Sequence, residues 1–502
     1  MKRTALLCFI ALSWLGMGVE AADYLQILVY GQSLSQGWEA PEAITTTPVE
    51  GNYMLGNSPL MRYNSGEAVL SPLVATKWDS GGEQPVAGCV NAFSTLYREQ
   101  VDAHMKFIGM TGGEGGLTIE RLSKECTNSG YYESTFIRIL DNTLEALRNS
   151  NSTVVCPAII YMQGESNCNN FSYYRDQGMT PGTHGTTDKE EYKGLLLQLK
   201  NNMQADIMSK YGQEEKPLFF IYQTSGKYIQ MNEMNIAMAQ YEFAGENEDV
   251  IMLNPHYAMP DYNGGHLSTN GYRWYGEIMG KILYDVLVEK KPYEPLQPQA
   301  FSIEDNAITI DYSVPSPPLV LDTWTTPLVS NYGFCVYKNG MYTNIVNKVE
   351  VKDDTKLVLT CSSRLTGKIE IIYAGKSTSG SGNLCDSYHF PSMYSYCDDS
   401  SASAKESYTS TDREGNKLYG KNYPLQNWSV GFYHKINIES GGRSLENIIF
   451  RKTDPNSLIQ VYDVNGRFIT ESKENAPDLS ILPNGFYIVR TEGDCFKIVK
   501  AD

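Results

Sequence analysis

Histidine is scarce in this 502-residue chain: there are six, and they are scattered. No two cysteines are spaced as CxxC and no Cys/His group has the spacing of a zinc site, so no metal centre is expected. Long hydrophobic runs are also missing. After the first 21 residues, no stretch approaches the length needed to cross a bilayer, which leaves no transmembrane segment. Positive charge is short relative to negative, with 41 Lys and Arg against 58 Asp and Glu and a net charge of -17. Such a surface repels polyanions, so a nucleic-acid partner is not expected.

The N-terminus, "MKRTALLCFIALSWLGMGVEA", has the layout of an export signal. Lys2 and Arg3 give the positive start, Ala5 to Val19 the apolar run, and Val19-Glu20-Ala21 a cleavage site. Residues 1–21 therefore read as a signal peptide, and the mature protein as secreted, periplasmic or held at the cell surface. Cys8 lies inside the signal. The other cysteines include Cys89, Cys126, Cys156 and Cys168 early and Cys335, Cys361, Cys385 and Cys397 in the middle. Export permits two disulfides in each region, with no pairing assigned.

From residue 22 to 291 the chain alternates compact apolar runs with amphipathic stretches. "YLQILVYG", "MKFIGMTG", "TVVCPAIIYMQG" and "KPLFFIYQTSG" read as strands. "FIRILDNTLEALRNS", "EEYKGLLLQLKNNMQADIMSKYG" and "NEMNIAMAQYEFAGE" read as helices. Near-continuous apolar strands separated by helices indicate an α/β fold, a parallel sheet covered on both faces. In such sheets ligands bind beyond the carboxyl ends of the strands. Ser33, the Gly112–Gly116 block and Gln163–Asn167 all fall just past such ends.

After the proline-rich linker "KKPYEPLQPQAF" the periodicity changes to two, as in "AITIDYSV", "KLVLTCSS" and "GKIEIIYAG". Residues 300–438 are expected to form a β-rich domain of the β-sandwich type, with long loops up to about Gly420. Residues 441–502 add short strands with turns at Asn465-Gly466, Pro483-Asn484-Gly485 and Glu492-Gly493. Their "VYDVNGR", "LPNGFYIVR" and closing "KIVK" resemble the C-terminal sorting modules of exported Bacteroidetes proteins. That resemblance implies surface display and contact with secretion machinery. The other reading is a further sugar-binding β-domain.

Four segments carry chemistry together: "YGQSLSQG", "IGMTGGEGGLTIERLS", "IIYMQGESN" and "NGGHLSTNGYRWYGEIMG". Singly, each reads as structure; a Gly-x-Ser turn is common. In this order, and at strand ends, they resemble the SGNH (GDSL-like) hydrolases. Within those they look most like the sialate O-acetylesterase-like carbohydrate esterases. The resemblance covers residues 24–290 and implies a flavodoxin-like three-layer fold. It implies a serine esterase that needs no cofactor and acts on an O-acetylated carbohydrate. Ser33 is then the nucleophile and His266 the base. The oxyanion donors are the Ser33 N–H, Gly115 or Gly116 and the Gln163 amide. Gln32, Glu165 and Asn167 are left to substrate positioning or support.

One departure stands out. The family carries Asp three residues before the histidine, where this chain has Asn263, with Asp261 two residues earlier. The partner of His266 is thus Asn263, Asp261 or a backbone carbonyl. This gap and the β-rich second half motivate a second reading, a non-catalytic glycan-binding surface protein on the same scaffold. A lipase-type enzyme is a third, against which "QGES" argues. Trp38, Trp78, Trp274 and nearby tyrosines are candidates for stacking on a sugar, and Arg62 and Arg121 for a local basic patch.

Overall fold

A computed structural model describes residues 22–40, 42–127, 130–168, 185–260, 265–397 and 420–438, with Arg467 and strands at 444–447, 459–463, 468–472, 485–490 and 495–500. The expected signal peptide lies outside the described residues.

The first half is built on a seven-stranded sheet. Its strands are β1 (Tyr24–Gly31), β2 (Asn52–Leu55), β3 (Leu70–Pro72), β4 (Lys106–Gly113), β5 (Val154–Met162), β6 (Leu218–Ile221) and β7 (Val250–Met252). Their order is β3-β2-β4-β1-β5-β6-β7. All neighbours run parallel except β3, an antiparallel edge strand beside β2. All eight residues of β1 are buried, as a central parallel strand requires. The chain leaves β1 on one side, returns as β4, then crosses to β5 on the other side. The order therefore reverses at β1, and a crevice opens beyond its carboxyl end.

Two groups of helices accompany this sheet. Pro85–Gln100 packs along Thr269–Leu287, and Lys189–Tyr211 packs with Arg138–Arg148 and Asn235–Glu246. The first pair approach closely because both carry glycines at the contact. A Cβ on Gly276 would stand 2.5 Å from the Pro85 carbonyl oxygen, and one on Gly280 2.3 Å from that of Cys89. This fixes the Thr269–Leu287 helix, which closes the loop bearing His266. No described helix is long and apolar enough to cross a membrane.

The second half is antiparallel. Gln297–Glu304, Ala307–Ser313, Val346–Val351, Lys356–Cys361 and Ser444–Asn447 form a five-stranded sheet, and Phe334–Lys338, Gly367–Tyr373 and Phe432–Ile438 a three-stranded one. Four further strands, from Ile459 to Lys500, form a sheet of their own. Ser444–Asn447 pairs with Gln297–Glu304. The sequence division at 441 thus cuts through a sheet, because the chain returns to an edge left open by an early strand.

The antiparallel half is tied to the first by buried polar contacts. Gln223 bonds Gly431 through both its amide atoms, and Tyr257 Oη lies 3.0 Å from Tyr373 Oη. Arg273 of the last helix donates to Ser395 O and Tyr423 Oη. The allowance for disulfides is not used by Cys89, Cys156, Cys168, Cys335, Cys361, Cys385 or Cys397, which are free thiols. Burial raises the Cys89 and Cys156 thiols well above their ordinary range, so both stay protonated.

Candidate active site

The site begins where β1 ends. Gly31 lies so close to β5 that a Cβ there would sit 2.0 Å from the Met162 carbonyl oxygen. The chain turns at Gln32, whose N–H donates to Met162 O at 2.9 Å. It then enters a short 3-10 helix, Ser33–Gln36, closed by Gly37 at φ 74°. Ser35 secures the turn by donating to Gln32 O from its N–H and its hydroxyl. Ser33 is thereby held above the carboxyl end of the central strand, 7% exposed.

His266 reaches this point from the loop between β7 and the last helix, whose N-cap Ser268 accepts the Gly271 N–H. Its Nε2 lies 2.8 Å from Ser33 Oγ, and its Nδ1 lies 2.8 Å from Glu39 Oε2. A carboxylate only accepts, so it selects the tautomer with hydrogen on Nδ1 and leaves Nε2 to accept the serine hydroxyl. The side chains of His266 and Glu39 are 14% and 35% exposed.

Glu39 was not among the residues singled out from sequence. It sits at φ 63°, a conformation that costs a non-glycine residue on the order of 1–3 kcal/mol and needs the surroundings to enforce it. Three contacts do so. The Glu39 N–H donates to Ser80 O at 2.7 Å, Gly82 donates to Gly37 O, and Tyr272 of the last helix donates to Trp38 O at 2.9 Å. The helix behind His266 thus also holds the turn that carries its partner. Asp261 and Asn263 lie outside the described residues. The only sequence signal for Glu39 was an acid in the nucleophile's own turn, "SLSQGWE".

The second block folds against the first. Glu114 N–H donates to Gly31 O at 3.0 Å, and Gln36 Nε2 to Gly113 O at 3.2 Å. Gly113 takes φ 95° with its Cα against the Gly31 backbone. Gly115 packs on the Trp38 ring, where a Cβ would come within 3.0 Å. Among the described residues, no backbone carbonyl accepts the N–H of Gly115 or Gly116.

Gln163 does not fit the role read from sequence. Its side chain is fully buried, and its Nε2 already donates to Asn167 Oδ1 at 2.7 Å and Leu117 O at 3.3 Å. Its Oε1 accepts from Tyr192 Oη at 2.8 Å. With both N–H groups committed, none is left for an oxyanion. Asn167 is likewise consumed: its Oδ1 accepts the Ile119 N–H, and its Nδ2 donates to Glu120 and Thr186. Gln32 Oε1 accepts the Ser166 N–H at 3.3 Å. These bonds fasten the three loops to one another, and those of Gln163 and Asn167 leave neither amide free for a substrate.

Glu165 is 1% exposed and accepts from Tyr222 Oη at 2.5 Å, with His256 Nε2 at 3.5 Å. Burial works to raise its pKa, but the facing His256 ring and the Tyr222 hydroxyl outweigh it and hold the carboxyl below its ordinary value. It is a buried anion supporting the third loop.

Aromatic side chains flank the glycine block. Trp38 meets Trp78 edge-on at 4.9 Å between centroids, and Trp78 stacks on Tyr63 at 4.5 Å and 26°. Trp274 is excluded from sugar stacking: it is fully buried in the last helix and stacked on Tyr423. Arg62 pairs with Glu114, so it does not form an open basic patch. Among the described residues, no group of three or more His, Cys, Asp or Glu is arranged to hold a metal.

No family model and no curated protein matches this sequence. Solved structures do resemble it at low identity. One is a carbohydrate acetylesterase from Xanthomonas citri, with TM-score 0.45 and 11% identity over 82% of this chain and 80% of that one. A second is NanS, with TM-score 0.31 and 13% identity over 49% and 80%. A third is Axe2, an acetylxylan esterase from Geobacillus stearothermophilus, with TM-score 0.27 and 12% identity over 54% and 97%. Likeness this weak says nothing by itself about the chemistry of this chain.

Proposed function

We propose that the protein is a serine esterase that removes acetyl groups from carbohydrate. The observation that carries this reading is the unbroken relay Ser33 Oγ, His266 Nε2, His266 Nδ1, Glu39 Oε2, with 2.8 Å at each hydrogen bond. It stands beyond the carboxyl end of β1, where the sheet order reverses. Ser33 Oγ attacks the ester carbonyl carbon while His266 Nε2 takes its proton. Negative charge on the carbonyl oxygen is met by the N–H groups of Ser33 and Gly115 or Gly116. The tetrahedral intermediate collapses, the C–O bond to the sugar breaks, and the proton passes from His266 to the departing sugar oxygen. Acetyl-Ser33 remains. Water, deprotonated by His266, attacks it and releases acetate and the free serine. Glu39 orients the imidazole and balances its charge while it holds the extra proton.

The non-catalytic reading drew on the β-rich second half and on the missing carboxylate before His266. Glu39 supplies one from another direction, which favours catalysis. An O-acetylated sugar as substrate rests on the family resemblance of the four blocks and on the aromatic residues beside them. Export through residues 1–21 and surface sorting through residues 441–502 belong to the same proposal.

The test is hydrolysis of a chromogenic acetate ester by the wild type and by Ser33→Ala, with mass spectrometry of the quenched wild type for an acetyl adduct on the Ser33 peptide. Activity lost in Ser33→Ala supports the reading. Background rates in both proteins would reject it.

A further inference from the structure

The aromatic group beside the triad has a composition that selects among sugars. Tyr63, 40% exposed, stacks one face on Trp78. Trp78 leads to Trp38, which adjoins Glu39 in sequence and packs on Gly115. The group is therefore continuous with the catalytic turn. Aromatic faces beside the triad suit a pyranose, whose C–H faces stack on rings.

Charge separates the two kinds of sugar left open by the sequence. A sialic acid brings a carboxylate, which needs an uncommitted cation. Arg62, over the Tyr63 ring at 5.5 Å, is already paired with Glu114. The carboxylate of Glu39 disfavours a second anion. Lys227 packs against Gly265 and over the Tyr228 ring.

We infer that Tyr63, Trp78 and Trp38 form a subsite for an uncharged pyranose, so that the ester is carried on a neutral polysaccharide rather than on a sialic acid. This rests on the esterase reading above. The experiment has two arms. The first is calorimetric binding of acetylated xylo-oligosaccharide and of O-acetylated sialoside to Ser33→Ala, alone and combined with Tyr63→Ala or Tyr63→Phe. The second is aryl acetate hydrolysis by the wild type. The expected result is binding of the xylo-oligosaccharide, weakened about tenfold by Tyr63→Ala and restored by Tyr63→Phe, with the sialoside at least about tenfold weaker. Glu114→Gln, which uncovers Arg62, narrows the gap. Equal or tighter sialoside binding, or binding indifferent to Tyr63→Ala, overturns the subsite. If that happens while the wild type still cleaves the aryl ester, only the subsite fails. If the wild type does not cleave the ester, the esterase reading fails.

Discussion

Replacing Glu39 by Gln tests the chemistry at the residue the sequence reading did not foresee. The substitution keeps the shape of the side chain and removes its charge. When Ser33 attacks, the His266 ring becomes positive with Glu39 Oε2 hydrogen-bonded to its Nδ1 at 2.8 Å. Taking about 4 Å between charge centres, the attraction is about 1 kcal/mol in bulk water and about 4 kcal/mol at an effective dielectric near 20. Glu39 is 35% exposed, so water screens part of it. An intermediate value of about 2.5 kcal/mol corresponds to roughly 10²-fold in rate. This is less than the ~10⁴-fold that follows when loss of a buried triad acid enforces the wrong tautomer. The assay is steady-state hydrolysis of an aryl acetate by the wild type, Glu39→Gln, Glu39→Asp and Asp261→Asn, with melting temperature as the folding control. Glu39→Gln is expected to lose roughly 10²-fold in kcat with KM nearly unchanged, Glu39→Asp to recover part of it, and Asp261→Asn to cost less than Glu39→Gln. If Glu39→Gln keeps kcat within about threefold, or Asp261→Asn is the more damaging change, the assignment of Glu39 is wrong.

Gln163→Ala should cost stability more than rate. It removes one partner each from Asn167 Oδ1, Leu117 O and the Tyr192 hydroxyl, and chemical denaturation should record a loss of about 2–3 kcal/mol; a hundredfold fall in kcat at unchanged stability would return Gln163 to the oxyanion hole. Gly31→Ala should abolish folded, active protein, because its Cβ would fall 2.0 Å from Met162 O, and soluble Gly31→Ala with wild-type activity would contradict this packing. Glu277, whose carboxyl accepts from Ser392 Oγ and Met393 N–H, is pushed by burial from 4.5 to about 7 despite those bonds and the nearby Arg273 charge. The folded protein therefore keeps this proton where the unfolded chain has lost it. Stability falls as pH rises from about 4.5 to about 7, by roughly 3 kcal/mol from this group, and a Tm–pH curve for Glu277→Gln should be flatter than the wild type across that window.

Legibility in the sequence followed burial on both sides of the sheet. β1, β4, β5 and β6 are continuous apolar runs because helices cover them, and a continuous run is readable without neighbours. β2, β3 and β7 span few residues each and lie toward the edges, where pattern is weak. The helix Pro85–Gln100 was not foreseen. Its buried residues mix apolar Val86, Val90, Phe93 and Tyr97 with Gly88, Asn91 and Ser94, the last two bonded to Asn52, and these polar positions dilute the apolar pattern. In the site, the residue types of the first and last blocks pointed to the pair that meets. The third block pointed to an oxyanion donor, yet its amides are spent on side chains and backbone groups of the surrounding loops and helix. Sequence can show that an amide is present; only coordinates show which acceptors have already claimed it.

Glu39 was hidden for a related reason. Pattern reading looks for a histidine's acid near the histidine, since a short loop fixes their geometry most simply. Here the acid instead travels with the nucleophile: Ser33 and Glu39 share one turn, clamped by Ser80, Gly82 and Tyr272. Only His266 must then be brought in from afar, by the helix whose glycines dock on Pro85–Gln100. A single rigid contact between those helices sets both hydrogen bonds of the imidazole at once. Enlarging Gly276 or Gly280 should therefore weaken the bonds to Ser33 and Glu39 together, whereas loosening the Ser33–Glu39 turn at Gly37 would disturb the acid and the nucleophile in the same step.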